Sequence, residues 1–459
     1  MGANQLPGNL EKSRIPRPVL AVVSRLRGRG WQAFLVGGCV RDLMLGTRPK
    51  DYDIATDALP DDVERLFERV IPTGKQHGTV TVLMQDVALE VTTFRTEGEY
   101  LDARRPSRVE FRTRIEDDLS RRDFTINAMA FDPIAGELRD PFGGQADLRA
   151  RIVRCVGDPR ARFSEDGLRP LRAVRLAAVL GFAIDPPTAA AIPESLPSFE
   201  RIAIERIREE FSKLLLSARP SFGLELLRRT GLLAVFLPEL LEGVGQPQGE
   251  AYAHVVYGHM LATVEATRSD LTLRLGALLH DIGKPRTAVR SDGHVDFPEH
   301  AMMGAMLADQ ILERLKFPRK VIESVSSLVR HHRLERLEGA SDGVLRRFIA
   351  SVGAQNVQLH FALAEANRRA RGRNVQEALE RLRLLRARVE AILRSRPALE
   401  ARELALDGNA IMRLLQVGPS PLVGDATRFL MEQVFENPEL NSPEKLSDLL
   451  RSWAHAADR

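Results

Sequence analysis

Two aspartates, Asp51 and Asp53, stand two positions apart in a run that is typical of a β-strand. On a strand both carboxylates would project from the same face, where they repel one another unless a cation lies between them. A third acid, Glu90, interrupts the apolar and β-branched run 87–94. Carboxylate and phosphate oxygens are the ligands that Mg²⁺ prefers. Three such acids could hold two metal ions roughly 3.5–4 Å apart, the arrangement used for in-line phosphoryl transfer.

A glycine pair lies shortly before these aspartates. Gly37 and Gly38 follow the apolar run 32–36 and precede a predicted helix over 40–45. Glycines at such a turn let backbone N–H groups approach a phosphate, and a helix N-terminus favours negative charge. Either feature alone is common, but the combination predicts a site for a nucleoside triphosphate and its metal.

A second group of potential ligands is rich in histidine. His280 and Asp281 end the apolar segment LTLRLGALLHDIGKP, which is typical of a buried helix. His259 precedes them, and His300 and the pair His331-His332 follow. Histidines and an aspartate from several helices suit a divalent transition metal.

The elements that would position these side chains change character along the chain. The pattern predicts an amphipathic helix over 18–27 and a helix that opens at Pro60. It predicts strands over 32–36, 52–55, 79–84 and 87–94. From about residue 160 glycine thins out and helical periodicity continues to the C-terminus. The sequence therefore predicts a small α/β domain over 25–150, followed by helical domains.

Length and composition limit the class of protein. The 459 residues are too many for one compact core, so we expect at least two domains. Only two cysteines, Cys39 and Cys155, are present, which favours a reducing cytoplasm over a disulfide framework. No signal-peptide segment and no run of about 18 apolar residues occurs, so we expect no membrane partner.

The net charge of +4 is only weak evidence for a nucleic-acid partner. Residues 368–396 are more informative, because they contain ten arginines against three glutamates. Two interpretations stay open for this segment: a solvated charged helix, or a face that tracks phosphates through the planar guanidinium fork.

Four segments, in this order, resemble the motifs of one known family. They are TGKQHGTVTV (73–82), TTFRTEGEYLDARRP (92–106), DLSRRDFTINAMA (118–130) and EDGLRPLRAVRLAAVLGF (165–182). Together with residues 35–56 they resemble the class II branch of the DNA polymerase beta superfamily. That branch contains the bacterial tRNA CCA-adding enzymes and the bacterial poly(A) polymerases. The likeness is dense over 33–182 and looser over 201–215.

The resemblance assigns roles to the first group of residues. It implies that Gly37 and Gly38 contact the triphosphate of the incoming nucleotide. It implies that Asp51, Asp53 and Glu90 are the metal-binding, catalytic carboxylates, with Mg²⁺ as the cofactor.

Further roles fall on residues around these motifs. The resemblance implies that Arg122 and Asp123 hold the ribose and triphosphate. Arg41 would help to position the site, and Asn127 would support its geometry.

Glu165, Asp166 and Arg169 match the family's nucleotide-selecting motif, Glu-Asp-x-x-Arg. On one helix Glu165 and Arg169 would face the same way, provided that the helix begins close to Pro170. A carboxylate beside a guanidinium can imitate the edge of a base, so the motif would select CTP and ATP without a template.

The loop Gly98–Arg105 carries an aromatic residue and two adjacent arginines. In the family such a loop is associated with the switch from CTP to ATP addition. Its presence argues against an enzyme that adds only CC.

The histidine group resembles the HD phosphohydrolase superfamily, in which His259, His280, Asp281 and His300 would be metal ligands. That superfamily closes its site with a later aspartate, where this chain has Asn367. Asparagine binds metal less well than a carboxylate. The module could therefore be an active hydrolase with a second divalent metal, a weak metal site or a helical scaffold.

The fold class that follows is α+β: a mixed α/β nucleotidyltransferase head, then an all-α neck, an HD-like body and a tail. The expected segments are an arm (1–17), the head (18–150), a nucleotide-selecting and RNA-binding neck (151–240), the HD-like domain (241–370) and a helical tail (371–459).

The expected function is addition of CCA to the 3′ end of tRNA from CTP and ATP, with release of pyrophosphate. An A-adding enzyme or a poly(A) polymerase is the alternative within the class. Two alternatives lie outside it: a metal-dependent phosphohydrolase with an RNA-binding head, and a catalytically silent RNA-binding protein. The three acids around one face argue against the last.

Overall fold

A computed structural model describes residue 10 and residues 14–97, 109–249, 252–291 and 294–457. The described chain divides into two compact units, residues 1–236 and 237–459. The loop Gly98–Arg105 lies outside the described residues.

The first unit is built on a mixed seven-stranded sheet of order β3-β4-β5-β2-β1-β8-β9. The strands of this unit are β1 Ala33–Val36, β2 Asp53–Thr56, β3 Val70–Gly74, β4 Thr79–Met84, β5 Val87–Thr93, β6 Arg95–Glu97, β7 Val109–Phe111, β8 Ala130–Asp132, β9 Glu137–Arg139, β10 Ile152–Val153 and β11 Ala183–Ile184. Strands β2 and β5 are parallel neighbours at the centre, with Asp53 opposite Glu90. β1 is buried along its whole length, as its run of apolar residues predicts.

Helices cover the sheet and then continue beyond it. They are α1 Arg17–Gly28, α2 Gly38–Met44, α3 Pro60–Leu66, α4 Ile115–Ser120, α5 Gly144–Ala150, α6 Pro159–Glu165, α7 Arg169–Leu180, α8 Pro186–Glu194, α9 Leu196–Phe199, α10 Ile204–Leu215, α11 Pro220–Arg229 and α12 Leu232–Phe236. Local chemistry sets several of their ends. The side chain of Asp158 accepts hydrogen bonds from the first turn of α6, and Gly181 ends α7 in the left-handed conformation.

The second unit is helical apart from the hairpin β12 Val289–Ser291 and β13 His294–Asp296. Its helices are α13 Val256–Glu265, α14 Leu271–Leu279, α15 Lys284–Thr287, α16 His300–Arg314, α17 Arg319–Arg330, α18 Asp342–Val352, α19 Val357–Ala370, α20 Val375–Arg394, α21 Gly408–Leu415, α22 Pro421–Glu436 and α23 Pro443–Ala457. One apolar cluster joins α18, α19 and α20 around Phe361, and another holds the last three helices around Leu430. Within the described ranges, no helix is both long enough and apolar enough to span a bilayer.

Within the sheet domain the predicted elements agree with these bounds except at two places. The helix that opens at Pro60 ends at Leu66, because Val70 begins an edge strand that pairs with β4. The strand predicted over 52–55 begins only at Asp53, so Asp51 lies at a bend before it and the two aspartates do not share a strand face.

Candidate active site and metal centre

The three predicted acids meet at the end of the central parallel pair of strands. Asp53 is the first residue of β2 and lies in register with Glu90 of β5. Burial raises the pKa of Asp53, Arg122 opposes this shift, and the charges of Glu90 and Asp51 raise it further. Asp51, although it precedes the strand, is therefore close enough to interact with Asp53. Acids crowded in this way fit a divalent cation, which would relieve their mutual repulsion.

The turn before α2 approaches this group closely. Gly37 has φ +76°, a conformation that other residues rarely adopt. A Cβ on Gly37 would lie 2.8 Å from Nη1 of Arg122 and 3.7 Å from Oδ2 of Asp53. Gly38 is the first residue of α2. The glycine turn therefore lies directly against the carboxylates and Arg122, as a triphosphate-binding turn requires.

Arg122 is held by an acid that the sequence analysis did not select. Asp118, on α4, accepts a hydrogen bond from Nη2 of Arg122 at 3.1 Å and one from Nη2 of Arg121 at 2.7 Å. Burial alone would raise the pKa of Asp118, but the two arginines lower it below its ordinary value. Nε of Arg122 is buried without a hydrogen-bond partner among the described residues. Asp118 therefore fixes one end of a guanidinium that faces the site.

A chain of hydrogen bonds connects the remaining predicted residues of the head. Nη1 of Arg41 donates to Oδ1 of Asn127 at 2.8 Å, and Nδ2 of Asn127 donates to Oδ1 of Asp123 at 3.3 Å. Nε of Arg172, on α7, donates to Oδ2 of Asp123 at 2.8 Å. Burial would raise the pKa of Asp123, but Arg172 and Arg169 outweigh it and lower the pKa to about 2. Asp123 is buried and is therefore an internal anchor of the site.

The nucleotide-selecting motif does not lie on one helix, contrary to the prediction. Glu165 is the last residue of α6, Asp166 is extended, and Arg169 is the first residue of α7. Pro170 explains this break, since it is accommodated only in the first turn of a helix.

The motif residues are nevertheless held together across this break. Nη1 of Arg169 lies 2.5 Å from Oε2 of Glu165. Asp166 instead accepts a hydrogen bond from Nη2 of Arg206, on α10, at 2.8 Å, and one from the backbone N–H of Leu168. The carboxylates and the guanidinium therefore lie at a helix–helix corner rather than along a helix face.

The predicted histidine site is also assembled, within the second unit. Oδ2 of Asp281 lies 3.1 Å from Nε2 of His280 and 3.7 Å from Nε2 of His259. Oδ1 of Asp281 lies 3.6 Å from Nε2 of both His300 and His332. His332 was not selected from the sequence, although the His331-His332 pair is a visible signal. Asp281 therefore lies between two candidate ligand groups.

The hydrogen bonds of the outer ring nitrogens fix the orientation of three histidines. Nδ1 of His280, His300 and His332 lies 2.7–2.8 Å from the backbone carbonyls of Ala277, Phe297 and Val329. An N–H that donates to a carbonyl leaves Nε2 as the bare, ligating nitrogen. Nε2 of His280 and Oδ2 of Asp281 are both buried and lie 3.1 Å apart. These residues fit a metal ion.

The charge states within the cluster are those of metal ligands. Burial lowers the pKa of His259 to about 3 and that of His332 well below its ordinary value. Burial would raise the pKa of Asp281, but His280 and Lys284 outweigh it, and the pKa is well below its ordinary value. His259 and His332 as neutral imidazoles and Asp281 as an ionised carboxylate are in the protonation states that bind metal.

Two residues distinguish this centre. Oδ1 of Asn367 lies 3.1 Å from Nε2 of His259, so the asparagine does reach the cluster. Nζ of Lys284 lies 2.7 Å from Oδ2 of Asp281 and also donates to Gln248 at 2.8 Å.

A cavity of about 170 Å³ opens beside Asp281 and is lined by Tyr252 and Arg371 among others. A small phosphoester could enter there.

The arginines of 368–396 are mostly paired with acids within the second unit. Arg381 contacts Glu338 and Glu377, and Arg388 contacts Asp342. These pairs favour the interpretation of a solvated charged helix. Exposed ion pairs are weak, so the phosphate-tracking face stays a prediction.

Three family models match the chain. They are the poly A polymerase head domain over residues 33–154, the probable RNA and SrmB-binding site of polymerase A over 181–243, and the HD domain over 252–384.

Curated relatives match nearly the whole chain. A CCA-adding enzyme of Geobacillus sp. (strain WCH70) is 36% identical over 432 residues, which are 94% of this chain and 95% of that protein. A CCA-adding enzyme of Limosilactobacillus fermentum is 34% identical and covers 97% of this chain and 98% of its own length. The crystal structure of the Bacillus stearothermophilus CCA-adding enzyme in complex with CTP superposes with a TM-score of 0.73 at 31% identity, over 97% of this chain and 99% of that one.

Proposed function

Because this chain belongs to the family of CCA-adding enzymes, we propose that it adds C, C and A to the 3′ end of tRNA from CTP and ATP. One observation carries the proposal: Asp53 and Glu90 lie in parallel register, with Asp51 within electrostatic reach, and the side chains of Asp53 and Arg122 both lie against the glycine turn at Gly37. Nucleotidyltransferases of this family use divalent metal, and we infer that the metal here is Mg²⁺.

In the reaction the 3′-hydroxyl of the RNA attacks the α-phosphate of the nucleotide, and pyrophosphate leaves. Asp51, Asp53 and Glu90 would hold the Mg²⁺ ions, whose contribution is to neutralise charge on the attacking and leaving oxygens. The backbone at Gly37 and Gly38 and the guanidinium of Arg122 would bind the triphosphate, and Arg41 and Asn127 would support this geometry. Positioning and charge stabilisation supply most of the catalysis in such a transfer.

Base selection would take place at the corner between α6 and α7. Cytosine and adenine both present an amino donor beside a ring-nitrogen acceptor, whereas uracil and guanine present a carbonyl there. The carboxylate of Asp166 can accept from the amino group, and the guanidinium of Arg169 can donate to the ring nitrogen. Glu165 holds Arg169 in place, so these three residues would choose CTP and ATP without a template.

The five segments that the sequence predicts would serve this function. The neck and the helical body would bind the tRNA by shape and backbone contacts, which is how duplex RNA is generally recognised. A role in tRNA maturation would place the protein in the cytoplasm, where its free and buried cysteines stay reduced.

The direct test offers Mg²⁺ and three tRNA transcripts, ending before CCA, after C and after CC, with CTP and ATP supplied separately and together. We expect stepwise addition of CCA to the shortest transcript at single-nucleotide resolution. Asp53→Ala should abolish addition, whereas Glu137→Ala, which removes an exposed acid of the same unit, should not. Extension of only the CC-ended transcript would make the protein an A-adding enzyme, and repeated A addition would make it a poly(A) polymerase.

The histidine centre supports a second candidate function, the metal-dependent hydrolysis of phosphoesters. The observation that favours it is the convergence of four histidines on Asp281, three of them with Nδ1 bound to a backbone carbonyl and Nε2 bare. Bis(p-nitrophenyl) phosphate with Co²⁺, Mn²⁺ or Ni²⁺ tests it. We expect metal-dependent release of nitrophenolate that Asp281→Asn removes and that Asn367→Asp increases by restoring a carboxylate. If neither the parent chain nor Asn367→Asp hydrolyses the phosphoester, the histidine centre is not a hydrolase and its domain serves as a structural scaffold.

A further inference from the structure

Arg172 lies one turn after Arg169 on α7 and has no role in the reaction described so far. Its Nε donates to Oδ2 of Asp123 at 2.8 Å, and its Nη2 lies 2.6 Å from the same oxygen. The other oxygen of Asp123 accepts from the backbone N–H of Phe124 at 2.9 Å and from Nδ2 of Asn127. Every oxygen of this buried carboxylate is therefore committed inside the protein, and Arg172 is its contact on α7.

Arg172 also interacts electrostatically with one acid of the base-selecting corner, Asp166. The pKa of Arg172 is raised, chiefly by Asp123 and further by Glu210 and Asp166. Asp166 belongs to the corner between α6 and α7, and Glu210 lies on α10. The guanidinium thus interacts with carboxylates from three places: Asp123, Asp166 at the corner and Glu210 on α10.

The two motifs that flank Arg172 would hold different parts of one nucleotide. The segment with Asp123 contains Arg122, which faces the glycine turn and Asp53. Helix α7 begins at Arg169, which pairs with Glu165. Backbone hydrogen bonds also join the segments, from Val156 to Asp123 and from Thr125 to Arg154. From α7 itself, Nη2 of Arg169 donates to the backbone carbonyl of Arg121 at 3.2 Å, whereas Arg172 binds the carboxylate of Asp123.

We propose that Arg172 is a positioning residue that holds the sugar-phosphate half and the base half of the nucleotide site in one fixed relation, through Asp123. This rests on the proposed nucleotide addition, which it deepens. A guanidinium suits the task because two of its N–H groups bind one carboxylate in a fixed plane. A lysine would keep the charge but lose this geometry.

The test measures kcat and KM for CTP and for ATP with Arg172→Lys, Arg172→Ala and the parent chain. Arg160→Ala is the control, because Arg160 is exposed and pairs only with exposed Glu194 among the described residues. We expect KM for both nucleotides to rise about tenfold or more in both Arg172 variants, and kcat to fall, since misplaced groups weaken binding and transfer together. Guanidinium ion added to Arg172→Ala should restore part of the activity, which a purely structural lesion would not allow.

The pH profile gives a second readout. In the parent chain the pKa of Asp123 is about 2, so Asp123 stays ionised across the assay range. Without Arg172 the buried carboxylate keeps Arg169 and Asn127, and farther off Arg175 and the thiol of Cys155. Burial then raises its pKa, so kcat/KM of Arg172→Ala should fall more steeply than that of the parent chain between about pH 8 and about pH 5.5.

The outcomes separate the two proposals. A parent chain that extends no transcript overturns the proposed function itself. An active parent chain with parent-like KM values in folded Arg172→Lys overturns the positioning role. So does an Arg172→Ala variant whose pH profile parallels that of the parent chain and which guanidinium ion does not restore. A thermal transition shows whether Arg172→Ala folds. If it does not fold, the KM values of Arg172→Lys alone decide whether Arg172 is a positioning residue.

Discussion

At the scale of single residues, Asp118 shows how the site depends on a group that touches no substrate. Its side chain is 1% exposed and pairs with both Arg121 and Arg122. A buried carboxylate is stable only when it is paired, and here the pairing also orients Arg122 toward the glycine turn. Asp118 therefore contributes both to the stability of the first unit and to the geometry of its site.

We predict that Asp118→Asn lowers both activity and stability. The substitution removes the buried negative charge that Arg121 and Arg122 share, at a cost of about 3 kcal/mol in the free energy of unfolding. Displacement of Arg122 should reduce kcat/KM on the order of 10²-fold. Nucleotide addition and the thermal transition of the full chain measure the two effects.

The same variant has a defined pH dependence. Because the folded pKa of Asp118 is lowered, its stabilising contribution is complete above the unfolded value of about 4 and is lost as the pH falls through the folded pKa. The difference in thermal transition between Asp118→Asn and the parent chain should therefore shrink below about pH 4. Glu116→Gln, on the same helix but partly exposed, is the control, and an equal loss in that variant would contradict the assignment.

The residue types of the site could be predicted from the sequence, but several of the contacts could not. Asp53 and Glu90 stand out because acids interrupt apolar, strand-forming runs. Asp118 and Arg172 do not, because their roles come from neighbours that folding brings to them. Both lie on helices, where a charged residue is usually an ordinary solvated side chain. Nothing in the local sequence distinguishes them from such a residue.

At the scale of elements, periodicity predicts the strands well and helix junctions poorly. The strand predicted over 79–84 has those bounds, because alternating β-branched residues and flanking turn residues define it. The helix expected through Glu165 and Arg169 is instead two helices. Pro170 is a local signal of the break, and the sequence analysis used it as a limit on the helix. Side chains such as Arg206, which holds Asp166 from a distant segment, are revealed by no local pattern.

The glycine turn yields an element-scale prediction. In Gly37→Ala the new Cβ would lie 2.8 Å from Nη1 of Arg122, and the sparsely populated backbone conformation would be strained by about 1–3 kcal/mol. We expect nucleotide addition to fall on the order of 10²-fold as Arg122 and the turn separate.

Gly30→Ala is the matched control for this prediction. Gly30 has φ +90°, and nothing lies within 4 Å of the position that a Cβ would take there, so the variant shares the strain but not the clash. It should lose stability and keep its activity. Equal activity in the two variants would show that strain alone, and not the contact with Arg122, explains the effect.

The histidine centre also depends on a glycine, Gly283, whose backbone lies directly against the start of α16. A Cβ on Gly283 would lie 2.3 Å from the carbonyl oxygen of His300 and 2.6 Å from the backbone nitrogen of Gly304. Gly283→Ala should therefore push α16 away and separate His300 from Asp281. We expect Co²⁺ affinity, followed by its visible absorption, to fall about 10–100-fold. Gly408→Ala, where nothing lies within 4 Å, should bind Co²⁺ normally, and normal binding by Gly283→Ala would contradict the assignment.

At the scale of the whole molecule, the two candidate sites belong to different compact units. The carboxylates, the glycine turn and the base-selecting corner all lie within residues 1–236, and the histidine centre lies within 237–459. Each site takes its side chains and its supporting hydrogen bonds from its own unit. Such a division allows one chain to hold a hard, oxygen-based metal site and a softer, nitrogen-rich one without mixing their ligands.

This division predicts that the two chemistries can be removed one at a time. Asp53→Ala should abolish nucleotide addition and keep the Co²⁺ absorption of the histidine centre, since none of its ligands changes. His280→Ala should lose that absorption, because it removes a buried ligand beside Asp281, and should still add nucleotides with Mg²⁺. Both variants are compared with the parent chain in both assays, with a thermal transition to establish folding. A folded His280→Ala that no longer extends tRNA would mean that the second unit controls the first through its metal centre, because no side chain of the carboxylate site has been altered.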